Sequence, residues 1–185
     1  MAINLQKGQR IGVGLRKVGI GLGWDPNDST GFDFDLDAAA FMVGEDRKLP
    51  VDEFFVFYNN KLSPDGAVAA GDDDRTGSSS AGGDDETLTV NLDKVDPRIN
   101  EIIFTVTIHE AEARRQNFGQ VHNSYIRIYN EETGEELAKY ELEEDFSIET
   151  AVEFGRLYRR NGEWKFEAIG NGYKGGLEFF LEKYN

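Results

Sequence analysis

Thirteen of the sixteen aspartates lie between Asp25 and Asp85, most of them in two short runs. The first, Trp24-Asp25-Pro26-Asn27-Asp28 through Gly31-Phe32-Asp33-Phe34-Asp35-Leu36-Asp37, holds five aspartates in thirteen positions. The second, Gly71-Asp72-Asp73-Asp74-Arg75-Thr76-Gly77 through Gly82-Gly83-Asp84-Asp85-Glu86, holds six acids in fifteen. Countercharge is sparse: no Lys or Arg stands between Lys17 and Arg47, and only Arg75 between Lys61 and Lys94. Carboxylates this dense repel one another unless solvent or a bound cation screens them. Hard divalent cations take oxygen ligands, which makes calcium the leading candidate. Solvated acidic loops that hold no ion are the alternative reading.

An EF-hand fits neither run. Asp72, Asp74 and Gly77 match its opening, but Gly83 stands where a bidentate Glu is required. In the first run Ala38 stands where the turn glycine belongs. Gly19, Gly21 and Gly23 form a G-x-G-x-G string with no following G-K-[ST], so it reads as a strand that a ring or another backbone approaches closely. His109 and His122 have no evident catalytic partner in the sequence, and Ser78 to Ser80 no neighbouring base.

The elements that must carry these loops are strands. Phe54 to Tyr58, Thr87 to Leu92, Ile102 to Ile108, Tyr125 to Tyr129, Glu136 to Leu142, Ala151 to Arg159 and Glu163 to Ile169 are β-rich runs separated by turn signals. Asn161-Gly162 predicts a two-residue hairpin. Helical turns are expected at Glu110 to Arg115 and at Gly176 to Tyr184, the latter packing Leu177, Phe180 and Leu181. In an extended segment Asp33, Asp35 and Asp37 share one face while Phe32, Phe34 and Leu36 enter the core. The same parity continues as Ala39, Phe41 and Val43. The expected fold is therefore all-β: a sandwich of two antiparallel sheets with short helices, one near the C-terminus, in a single domain spanning 1–185.

Composition narrows the function. A net charge of −15 argues against nucleic acid as a partner, because phosphate binding needs clustered Lys and Arg. With no cysteine there is no disulfide, thiolate metal site or cysteine nucleophile. Nothing resembles a signal sequence or a transmembrane run, so a soluble cytoplasmic protein is expected.

The chain resembles the tellurite-resistance TerD family over nearly its whole length. The matching strings include Gly21-Leu22-Gly23-Trp24-Asp25, Phe32-Asp33-Phe34-Asp35-Leu36-Asp37-Ala38, Phe57-Tyr58-Asn59-Asn60-Lys61 and Gly83-Asp84-Asp85-Glu86. Ala113-Arg114-Arg115-Gln116-Asn117-Phe118-Gly119-Gln120-Val121 and Asn161-Gly162-Glu163-Trp164-Lys165-Phe166 follow. The resemblance implies a calcium-binding stress protein of a family with no recognised catalytic motif, acting as a non-catalytic adaptor or sensor. It implies about two Ca2+ ions, and as partners other Ter-family proteins or a membrane-associated stress complex. The candidate ligands are Asp25, Asp33, Asp35, Asp37, Asn59, Asn60, Asp72, Asp74, Asp84, Asp85 and Glu86. One departure from the family pattern is Ser78-Ser79-Ser80-Ala81, which replaces an acid-containing loop and removes one possible ligand. A Mg2+- or Mn2+-dependent phosphoester hydrolase and a Ca2+-dependent membrane-docking module are the alternative functions.

Overall fold

The computed structural model describes residues 2–25, 31–71, 84–142 and 146–185. Among the described residues, twelve strands form two six-stranded sheets. The first runs, in spatial order, β1 (Ile3–Leu5), β10 (Glu136–Glu141), β9 (Tyr125–Asn130), β3 (Lys17–Gly23), β7 (Glu86–Asn91) and β6 (Val68–Ala70). The second runs β2 (Arg10–Gly12), β12 (Glu163–Tyr173), β11 (Ala151–Arg160), β8 (Glu101–Ile108), β4 (Leu36–Val43) and β5 (Phe55–Val56). Neighbours are antiparallel except β1, which adds to β10 in parallel at the sheet edge.

Alternation along each strand builds the core between the sheets. Val18, Ile20 and Leu22 of β3 and Leu88 and Val90 of β7 meet Leu36, Ala40 and Met42 of β4 and Ile102, Phe104 and Val106 of β8. The opposite residues of β4 (Ala39, Phe41 and Val43) line a second apolar cluster on the outer face of the second sheet. The C-terminal helix α2 (Leu177–Tyr184) covers that face with Phe180 and Tyr184, both fully buried. One strand thus serves two cores, which explains why its apolar run is continuous.

Two local expectations need correction. The alternation upstream of β4 does not reach Phe32, which is 60% exposed, whereas Phe34 and Leu36 are buried. Residues before Leu36 have no ladder partner, so the strand period stops there. The dense run Phe54 to Tyr58 is a strand only at Phe55–Val56: Asp52–Phe54 is a 3-10 turn, and Phe57 closes a turn with Asn60. The Asn161-Gly162 hairpin forms as expected, with φ of 54° and 78°. The helical turn after β8 is α1 (Ala111–Arg114).

Candidate functional site

The ends of β3, β6 and β8 and the starts of β4, β7 and β9 lie at one end of the sandwich, because each pair runs antiparallel. This topology brings the described ends of the two acidic runs together. Glu86, at the start of β7 in one sheet, accepts at Oε2 a 2.8 Å hydrogen bond from the N–H of Ala38 in the other. Asp37 and Glu86 also line one pocket of about 20 Å³, room for a single water molecule, with Tyr58, Gly71 and Thr87.

Asp85 is buried and accepts at Oδ2 from the Trp24 N–H at 2.8 Å, while its own N–H donates to Leu22 O. Asp25 accepts at Oδ2 from Asn123 Nδ2 at 2.7 Å. Asp33 is exposed, Asp35 and Asp37 half-buried, and His109 Nδ1 stands 3.8 Å from Asp37 Oδ2. The Asn60 amide donates to Glu53 O at 3.0 Å and Phe55 O at 2.8 Å, so its nitrogen braces the β5 turn. Asn59 is exposed in that turn. Asp72 and Asp74 fall outside the described residues. Among the described residues, no three Asp, Glu or His side chains converge as a metal-holding group.

Asp84 has a different setting. Arg127 grips it with Nε at 2.9 and 3.0 Å and Nη2 at 2.6 Å, and the Tyr125 hydroxyl donates to it at 2.8 Å. Burial, and then the Asp84 carboxylate that accepts from it, push the Tyr125 hydroxyl well above the usual phenol range. The hydrogen bond to Asp84 raises Arg127 as well. This cluster explains the alternating glycines of β3. A Cβ on Gly21 would meet the Asp84 carboxylate, and one on Gly19 or Gly23 the rings of Tyr129 or Tyr125, all inside van der Waals contact. The approach of a ring was legible from the glycine spacing, whereas Arg127 as the partner of Asp84 was not. Its signal was the Tyr125-Arg127-Tyr129 alternation on the strand beside β3.

Behind the first acidic run, the segment after β8 reaches back to the loop. Gln116 Nε2 donates to Phe32 O at 2.8 Å and Asp33 O at 3.2 Å, and the N–H of His109 donates to Asp35 O at 2.7 Å. The Arg114 guanidinium lies 5.2 Å from the centre of the Phe32 ring.

An acid-rimmed β-sandwich with a helix-covered outer sheet is the class that this architecture and its crowded end define. A model of the TerD domain matches residues 1–184, and the chain belongs to the TerD family. It is 48% identical over 189 residues to the tellurium resistance protein TerD of Serratia marcescens, covering 100% of this chain and 97% of the relative. It is 52% identical over 190 residues to general stress protein 16U of Bacillus subtilis (strain 168), with 100% and 97% covered. Among solved structures, a homologue of telluride resistance protein (TerD), SCO6318 from Streptomyces coelicolor A3(2), superposes with a TM-score of 0.70. That pair is 26% identical, with 90% of this chain and 95% of the other covered. The family is thus one of tellurium-resistance and general-stress proteins. Among the described residues, no helix is long and apolar enough to cross a membrane.

Proposed function

We propose that this protein binds calcium at the acidic end of the sandwich and works as a non-catalytic adaptor or sensor in the stress response. The observation that carries the reading is the Glu86–Ala38 hydrogen bond, which ties together acidic runs 48 residues apart. The donors there are oxygens, as a hard dication requires. Asp33, Asp35, Asp37, Asp85 and Glu86 would supply carboxylates, with Asp25, Asn59 and Asn60 at the margin and Asp72 and Asp74 from the second run. Asp84, gripped by Arg127, would anchor the loop from which Asp85 and Glu86 project. Two ions would bring the net charge from −15 to about −11, assuming ionised carboxylates throughout. Other Ter-family proteins or a membrane-associated stress complex would be the cytoplasmic partners, a reading supported by relatives that are named as resistance and stress proteins.

Thermal melts across a calcium titration, started from chelator-treated protein, test this. At a hundredfold excess over Kd, stabilisation of about 2.7 kcal/mol raises Tm by about 5–10 °C for a chain of this size. Asp37→Asn and Asp85→Asn shrink the rise, and Asp52→Asn, on an exposed turn beyond the far end of β4, leaves it intact. An unchanged Tm at millimolar calcium removes the proposal.

A further inference from the structure

We infer that Gln116 is a positioning residue for the first acidic segment, holding the Phe32–Asp33 backbone so that its aspartates present one oxygen-rich face to a divalent cation. The inference rests on the calcium reading and adds a residue to it. Residues 31–35 precede β4 and have no ladder to fix them. Their carbonyls are held instead by the segment after β8: Phe32 O and Asp33 O by Gln116 Nε2, and Asp35 O by the N–H of His109. Arg114 Nη1 approaches Asp33 O as well, at 3.5 Å.

Gln116 is itself pre-set for this task. It is 6% exposed, follows Arg115 in the left-handed region (φ 55°), and its N–H donates to Ala111 O at 2.8 Å. Two backbone acceptors dictate which end of the amide faces the loop. Its Oε1 is buried without a hydrogen-bond partner among the described residues. The bonds that its Nε2 donates to the Phe32 and Asp33 carbonyls are the contacts by which it acts on the loop.

The test compares wild type, Gln116→Met and Gln116→Asn by calcium calorimetry and by the luminescence lifetime of Tb3+ bound in place of calcium. Met keeps the length of Gln but offers no amide donor. The expected result is a calcium Kd raised by about 10-fold or more in Gln116→Met. A longer list of inner-sphere waters on Tb3+ accompanies it, because a misplaced aspartate yields its position to solvent. A merely structural role would lower Tm in chelator and leave the Tb3+ hydration unchanged, overturning the inference. Should Gln116→Met not fold, Gln116→Asn, which keeps the amide but shortens its reach to the Phe32 and Asp33 carbonyls, decides, with weaker calcium binding and raised hydration expected and wild-type values refuting. Wild type that binds no calcium defeats the calcium reading itself, whereas tight wild-type binding with unchanged variants defeats only the role of Gln116.

Discussion

Replacing Gly21 by alanine tests the physical account of the Asp84 cluster. The new methyl would lie under 3 Å from the Asp84 carboxylate, where the side chain is 8% exposed. Reaching ordinary contact requires the carboxylate to retreat by about 1 Å. Its bonds to Arg127 and Tyr125, now 2.6–3.0 Å, do not survive that shift at full strength. Overpacking alone costs about 1–3 kcal/mol, and breaking a buried charge pair about 3–5 kcal/mol. Because Arg127 remains 26% exposed and can follow in part, about 3 kcal/mol is expected. Urea unfolding at 25 °C, followed by circular dichroism, measures it. The decisive arm is a double-mutant cycle: in an Asp84→Ala background the same Gly21→Ala change should cost less than about 1 kcal/mol, since the methyl then has room. Equal cost in both backgrounds would refute the clash and the pairing it disrupts.

Other expectations follow from the second sheet. Glu153 lies beneath α2, its side chain 4% exposed, bonded by Lys183 Nζ at 2.6 Å and by the Tyr184 hydroxyl. Lys183→Met removes the lysine countercharge from that carboxylate and should cost about 3 kcal/mol by urea unfolding; a neutral result would refute a contribution of the pair to stability. Phe180→Ala opens a cavity between α2 and Phe41 and should cost about 3–5 kcal/mol, with early protease cleavage of α2 as a second readout. Burial raises the Glu167 carboxyl, but hydrogen bonds from Arg156 and Arg10 outweigh it and leave the group below its ordinary 4.5. A depressed folded value means this contribution is complete above pH 4.5 and is lost as pH falls through the folded value. The stability gap between wild type and Glu167→Gln should therefore narrow on acidification below that point, and a gap constant with pH would contradict the pairing.

The sequence by itself determined several of the strands and the acidic character of one end of the sandwich. Period-two alternation in Thr87 to Leu92 and Tyr125 to Tyr129 reports a half-buried sheet, because successive side chains leave opposite faces. Clustered aspartates with little countercharge nearby in sequence raise the expectation of a cation or solvent, but for Asp84 the partner is Arg127, 43 residues on. Asn161-Gly162 fixed its own hairpin, because the turn needs φ above zero at both residues. Tertiary structure alone decided who meets whom. The stacking of the two sheets set Glu86 against Ala38, and the order β9-β3-β7 set Arg127 against Asp84 across β3, 48 and 43 residues apart, distances over which local propensity carries no information. It also decided that Ala39, Phe41 and Val43 face a helix rather than the inter-sheet core, and that Phe32 stays outside. An alternating pattern says that two faces differ, but only the packed partner says what each face touches.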